Sequence, residues 1–480
     1  MKGEPVVIIG AGPAGLTAAH ELTKHGLRPI VLEKADKVGG LARTETYKGY
    51  RFDIGGHRFY TKIPEIQQLW EEMLEEEFIK VNRLSRIYYL GRFFNYPLNF
   101  FNALINLGLI ESLLVFLSYL KARLFPSRVE ETFEQWVKNR FGERLFRTFF
   151  KTYTEKIWGI PCSTIQAEWA AQRIKDLSLM TALVNLFFGT KNVKTLIEEF
   201  HYPIHGPGMM WQRFSEVVEK RGGTVHLDTD VASFKWEGNR ISSVTARSGK
   251  ELFEISGTHY ISSMPITELV KRFDPPVPEE VLRAAGNLHY RDFLIVALIV
   301  DRDLLFPDNW IYVHNQNVKV GRIQNFKNWS SQMVPEHGKT CVGMEYFCNK
   351  GDDIWSMSDS DLIRLAADEL SRIGLAVKSE VKDGTVIRQT RAYPVYDNGY
   401  REQLSTIQEF LKGIENLQTV GRNGMHHYNN QDHSMLTGLL AVRNILGESH
   451  DLWTVNTERS YYEEVTIPDP SCSKTPAIGD

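Results

Sequence analysis

The chain opens with an apolar run, Pro5-Val-Val-Ile-Ile-Gly10, that has the length and β-branched content of a strand buried on both faces. Leu16–Lys24 then repeats apolar residues at helical spacing, and Pro29-Ile-Val-Leu-Glu33 returns to a short strand. From Pro64 to Phe200 the pattern is helical and aromatic, with Glu131–Tyr153 as one long periodic stretch. At Gly222 it switches to strands, and Thr224–Leu227, Ala232–Trp236, Ile241–Ala246, Glu251–Ile255 and His259–Ser263 predict a β-meander. Phe293–Val300 and Thr340–Phe347 predict further strands, with a helix over Asp359–Ile373. Leu417–Leu446 predicts a strand, a glycine turn at Gly421 and a helix from Ser434. The tail after Pro468, rich in proline and serine, predicts disorder.

Composition adds bounds to this pattern. A length of 480 residues fits two or three domains, and 42% hydrophobic with 24% charged residues fits an ordinary globular core. A net charge of -3 gives no electrostatic reason to expect nucleic acid as a partner. Cys162, Cys341, Cys348 and Cys472 show no paired or zinc-binding spacing, which fits free thiols in a reducing cytoplasm and no metal site. No signal sequence is legible after Met1. The most apolar segment, Phe100–Leu120, is interrupted by Asn102, Asn106, Glu111, Ser112 and Ser118, so it predicts a buried or surface-lying helix rather than a membrane span. Membrane contact is the lesser expectation beside a soluble chain.

The candidate chemistry begins at Gly10-Ala-Gly12-Pro13-Ala14-Gly15, between the first strand and helix. Gly10 permits the turn, Gly12 lets the main chain approach a pyrophosphate, Gly15 allows close packing, and helix amides face the phosphates. Glu33 ends the second strand, with Lys34 beside it, and is placed to accept bonds from a ribose diol. Gly39-Gly40-Leu41-Ala42-Arg43 follows, where an enzyme of free nicotinamide usually begins another helix; Asp53-Ile-Gly55-Gly56-His57 then returns the chain toward a ring system. The run from Val6 to His57 resembles the amine-oxidase-like flavoprotein superfamily. That resemblance implies FAD as cofactor and an α/β fold: a Rossmann-like FAD-binding domain of the glutathione-reductase type, an inserted helical segment and a mixed β-sheet substrate domain. It also places Val231 along the adenine, and Gly421-Arg422 with the helix after them at the flavin. The expected division is FAD-binding pieces at 1–63, 205–270 and 415–450, a helical segment at 64–204, a mixed sheet of about six strands at 271–414, and a tail at 451–480.

Further segments narrow the resemblance. Phe94-Asn-Tyr96-Pro97-Leu98, the run Phe149–Trp158, Leu288-His-Tyr290-Arg291 and Gly421-Arg-Asn-Gly424-Met-His-His-Tyr428 occur in the order found in UDP-galactopyranose mutases. The resemblance implies a redox-neutral isomerisation of a nucleotide-activated sugar, with reduced flavin as covalent catalyst and an external reductant such as NAD(P)H. On those demands Trp158 is a candidate platform for a nucleobase, against a packed core aromatic. Arg173 and Arg322 are candidates for the diphosphate, against surface ion pairs. His57 is a candidate to tune the flavin, and Tyr428 to donate to a phosphate. His426 and Asn430 depart from the mutase pattern, which has a tyrosine and an aspartate there, and this puts the sugar and the mutase activity in question. The competing expectation is an oxidoreductase of the protoporphyrinogen-oxidase, desaturase or amine-oxidase kind, supported by the apolar stretches Phe100–Leu120 and Leu183–Phe188. A non-enzymatic flavin-binding protein is the third.

Overall fold

Val6–Ile9 is buried on both faces and pairs in parallel with Ile30–Leu32 on one side and His259–Ser262 on the other. Thr224–His226 adds beyond Ile30–Leu32 and Leu417–Thr419 beyond His259–Ser262, giving a five-stranded parallel sheet. The structure, a computed structural model, describes residues 5–96, 100–167, 194–196, 198–457 and 464–466. Pro13–Lys24, Gly208–Lys220 and Gln431–Ile445 cover one face of this sheet, and their apolar sides share one core with Trp70. Two of these helices meet without side chains between them. A Cβ on Gly438 would lie 2.3 Å from the carbonyl oxygen of Ala14, and one on Gly15 would lie 1.9 Å from that of Gly10.

The expected meander is smaller than the pattern implied. Thr229–Glu237, Arg240–Ser248 and Glu251–Ser256 form the antiparallel meander, while the first and last of the five expected strands belong to the parallel sheet. The chain turns at Asp228 (φ 49), which separates Thr224–His226 from the meander. Local alternation marks a strand but does not name its neighbour.

A seven-stranded sheet stands apart, ordered Val381–Pro394, Tyr290–Val300, Thr340–Cys348, Arg322–Asn325, Trp310–Val313, Ser85–Tyr89 and Arg92–Asn95. Its last two strands correct the reading of 64–204 as helical. Leu90 and Gly91 both take positive φ, a two-residue hairpin turn that usually announces itself with Asn-Gly or Asp-Gly. Phe78–Asn82 is a further strand, paired with Glu199–Pro203.

The long helix expected over Glu131–Tyr153 is broken at Gly142 (φ 82) into Phe133–Phe141 and a second stretch that ends in Thr152–Trp158. Phe100–Leu120 likewise forms two helices, Phe100–Leu107 and Leu109–Leu124, hinged at Gly108 (φ 85). Among the described residues no helix is long and apolar enough to cross a membrane. Cys162, Cys341 and Cys348 are buried free thiols; Cys472, Leu183–Phe188 and the tail after Pro468 lie outside the described residues.

Gly438→Ala is expected to lower stability by about 1–3 kcal/mol, because the added methyl overpacks the contact with Ala14. Gly286→Ala, where nothing lies within 4 Å, should be neutral or stabilising by up to about 1 kcal/mol. Urea unfolding of the two variants against the parent checks the contrast.

Candidate active site

The carboxyl ends of the parallel strands open into a cavity of 650 Å³. Gly10, Gly12, Pro13 and Ala14 from the first turn, Glu33 and Lys34 from the second strand, and Gly40, Leu41, Ala42 and Arg43 line it. Val231, Gly421 and Arg422 close its other wall. Gly12 and Gly40 face each other: a Cβ on Gly40 would meet the Cα of Gly12 at 3.3 Å, so the main chains approach with no side chain between. Glu33 is buried and accepts from the amides of Ala11 (2.8 Å) and Ala35 (2.9 Å), one on each oxygen, which fixes its carboxylate at the cavity wall.

Gly15 takes the packing role expected of it, under the turn against the Gly10 carbonyl. Gly39 serves packing too: its left-handed backbone (φ 104) suits glycine, and a Cβ there would crowd Arg43 and Trp211. Arg43 reaches the cavity but spends its Nε on Glu45 (2.7 Å) and its Nη1 on the Gly40 carbonyl and Gln389. Glu45 is shared with Lys37 at 2.7 Å, so one carboxylate faces two cations and the cluster keeps a net positive charge beside the crevice.

A second cavity, of 360 Å³, lies under the seven-stranded sheet. Leu41, His57, Arg422, Asn430 and Gln431 line both spaces, so the two meet at the start of the helix Gln431–Ile445. Asn430 is the N-cap residue of that helix, and its main-chain amide donates to His433 Nδ1 at 3.3 Å. Gly55 and Gly56 bring the chain along the junction, and His57 follows them with its Nδ1 unpartnered among the described residues. Burial, reinforced by Arg422 and Arg322, lowers the His57 imidazole to about 3, so it is neutral.

Arg322 reaches into the second cavity from the strand Arg322–Asn325. Its Nε donates to Glu345 at 2.6 Å, its register partner on the neighbouring strand, and Gln324 donates to the other oxygen of Glu345 at 2.8 Å. Glu345 is fully buried. Burial pushes its carboxyl up and Arg322 counters that; the guanidinium, which burial alone would disfavour, is held protonated by Glu345. The terminal amines of Arg322 make no protein hydrogen bond among the described residues, and they face the cavity.

Tyrosines surround that charge. Tyr393 and Tyr428 stack at 5.7 Å with an 18° tilt, and Arg422 lies over the Tyr428 ring at 4.6 Å. Arg422 is itself fixed by the carbonyls of Asn429 and Ala392. Tyr153 stacks on His314 at 4.5 Å and meets Tyr312 edge-on. Trp158 lines the cavity but is buried, set edge-on to Tyr393 at 6.2 Å. The structure thus brings His57, Arg322, Tyr428 and Trp158 to one space, whereas Arg173 lies outside the described residues. Tyr153, Tyr312, Tyr393, Gln324 and Asp432 also line it without having been singled out from the sequence. Tyr153 sits in the run Phe149–Trp158, Gln324 is two residues past Arg322, and Asp432 lies in the first turn of the helix Gln431–Ile445; Tyr312 and Tyr393 come from other strands of the sheet, and no local motif marks them.

The flavin containing amine oxidoreductase family matches residues 13–446. The chain belongs to this family. FAD is its cofactor, and the glycine-lined crevice fits it: facing glycine main chains, an amide-fixed Glu33, and a junction at His57 leading into a second cavity. Among solved structures, reduced UDP-galactopyranose mutase superposes on this flavoprotein with a TM-score of 0.83 at 22% identity, over 95% of this chain and 96% of that one. The expected α/β fold is the fold observed. Coproporphyrinogen III oxidase of Mycobacterium leprae is 22% identical over 86% of this chain and 92% of its own length. A 15-cis-phytoene desaturase of Narcissus pseudonarcissus is 40% identical over 73 residues, so the chain spans only 13% of that relative.

Asp432, in the first turn of the helix Gln431–Ile445, borders the flavin junction and accepts from the Thr61 hydroxyl at 2.9 Å. Burial raises its carboxyl to about 7 against that bond and the local amides. A raised folded-state value adds stability below the unfolded value and loses it as the pH rises through the folded one. Relative to Asp432→Asn, the parent should therefore lose about 1.4 kcal/mol per pH unit from the ordinary carboxylate range up to about 7, as measured by urea unfolding across pH.

Proposed function

We propose that this flavoenzyme isomerises a nucleotide-activated sugar through reduced FAD with no net transfer of electrons. The observation that supports this most is Arg322: a guanidinium kept charged by buried Glu345, with its terminal amines facing a cavity lined by Tyr153, Tyr312, Tyr393 and Tyr428. A planar cation ringed by hydroxyls fits the oxygens of a diphosphate better than it fits an apolar polyene or an amine. The main chain at Gly12 and Gly40 would hold the FAD pyrophosphate, Glu33 the ribose, and the start of the helix Gln431–Ile445 the pyrimidine edge of the ring. Reduced FAD supplies the nucleophile for the anomeric carbon, and an external donor such as NAD(P)H would reduce it beforehand.

The protein's own part is binding, orientation and exclusion of water. Arg322 holds the diphosphate, both as bound substrate and after it leaves the sugar, so the two do not separate. Tyr428 is fixed by its stack on Tyr393 and by Arg422, and would donate to a phosphate oxygen. Trp158, edge-on and buried, is a wall for the base rather than a broad stacking face. Asn430, an amide at the N-cap of that helix, adds no negative charge beside the diphosphate. Neutral His57 faces the flavin as an acceptor or a single donor and adds no cation there.

One feature favours the second reading, oxidation of an apolar substrate. Phe133, Phe149, Phe150, Phe293 and Phe347 add aromatic surface to the same cavity. Anaerobic mixing of dithionite-reduced enzyme with UDP- and GDP-sugars separates the two readings: an isomer of unchanged mass is expected by liquid chromatography and mass spectrometry. Arg322→Lys should lower kcat/KM on the order of 100-fold by losing the planar fork. No isomer from any sugar nucleotide, with rapid flavin reduction by an apolar substrate, would establish the oxidoreductase instead.

A further inference from the structure

The helices Phe100–Leu107 and Leu109–Leu124 form a hairpin, and the apolar side of the second points outward. A surface helix ordinarily buries its apolar stripe. In Leu109–Leu124 only Val115 and Tyr119, one turn apart, are buried, while Leu113, Phe116, Leu117 and Leu124 are exposed. Leu109, Ile110 and Phe125 are each 78% exposed, and Ile105 extends the patch onto the first helix. Isolated exposed leucines are unremarkable on a soluble protein, but a contiguous face of this kind marks an interaction surface.

The orientation is held by tight contacts. A Cβ on Gly142 would meet the main chain of Ser118 and Tyr119 at 2.8 Å, so the helix backbone rests directly on that turn. The Arg144 amide donates to the Ser118 hydroxyl at 3.1 Å, and its guanidinium clasps Glu111 with two bonds of 2.6 Å. Rotating the helix to bury its leucines would break all of these.

Charge on the hairpin is one-sided. Neighbouring acids are already matched: Glu111 by Arg144, Glu130 by Arg140, and Glu134 and Glu143 by Lys138. Lys121, Arg123 and Arg128, at the exposed end of the patch, have no ion pair among the described residues; Glu131 is a nearby acid without one. We propose that this hairpin docks the enzyme on an anionic membrane surface, with the leucine face in the acyl boundary and Lys121, Arg123 and Arg128 at the headgroups. At 16 residues, Leu109–Leu124 is too short to span a bilayer and suited to lie on one. A second copy is a poorer occupant, because the patch it would bring offers Glu131 as its unmatched acid, among the described residues, against the three cations Lys121, Arg123 and Arg128. Val115 packs in the same core as Ile87, Phe133 and Phe149, which line the substrate cavity, so docking would lay that cavity wall along the membrane.

The test is flotation of full-length, FAD-loaded protein with vesicles of phosphatidylcholine alone or mixed with phosphatidylglycerol. Wild type should float with the anionic vesicles, weakly with the neutral ones, and less as salt rises. Leu109→Ser/Ile110→Ser/Leu113→Ser/Leu117→Ser alters only exposed positions, so it should keep its flavin and melting temperature yet stay unbound. Lys121→Glu/Arg123→Glu/Arg128→Glu should weaken binding to anionic vesicles on the order of 100-fold. Wild type that ignores both vesicles, or a serine variant that still floats, overturns the proposal. A wild-type dimer in light scattering that the serine variant dissociates, without vesicle binding, would assign the face to a second copy.

Discussion

A guanidinium fixed beside a fully buried carboxylate sets the terms for the space above the flavin. Arg322 and Glu345 are register partners on adjacent strands, so the pair is a consequence of how Arg322–Asn325 and Thr340–Cys348 align. Such a pair is weak evidence for stability, since its desolvation offsets most of its Coulomb energy. Its effect lies elsewhere: neither partner can leave without stranding the other, at a cost of about 3–5 kcal/mol. The cavity therefore meets a permanently protonated, oriented guanidinium whose counter-charge is the buried Glu345. Gln324 takes the other oxygen of Glu345 and leaves Arg322 to point its remaining amines inward.

The second constraint is the absence of side chains where elements meet. Gly15 and Gly438 let the first helix close on the turn before it and on the late helix, while Gly12 and Gly40 leave two stretches of main chain facing each other. The crevice for FAD is built from backbone, and the substrate cavity from side chains. They join at His57, Arg422 and Asn430, where the fold brings residues 57, 422 and 430 together from opposite ends of the chain.

The backbone-built part was legible in the sequence because its signals are local. Glycine spacing, the acid at Glu33 and the strand–turn–helix order all lie within fifty residues, whereas the place of Gly421-Arg422 came from the resemblance to the flavoprotein superfamily. The side-chain-built part was legible only where a short run carried it, as with Trp158 and Tyr428. Tyr312, Tyr393 and Glu345 reach the site through sheet register over tens to hundreds of residues, and no local spacing encodes register. The strands Ser85–Tyr89 and Arg92–Asn95 were missed for a related reason: Leu90 occupies a left-handed turn position where asparagine or aspartate is the usual sign. At Arg43 the expected cation lines the crevice, and Glu45, two residues on, is shared between it and Lys37. At Asp432 the chemistry comes from burial alone, which a sequence does not display.

The central claim is that the cavity beside the flavin is built for an anionic diphosphate. The most direct measurement is a titration of the FAD-loaded, reduced enzyme with UDP, following the flavin absorbance and the heat of binding together. Saturable binding that perturbs the flavin spectrum, and that is lost in Arg322→Ala while FAD stays bound, is the result predicted. No heat and no spectral change with UDP, alongside a saturable spectral change with an apolar polyene or porphyrinogen, would contradict it.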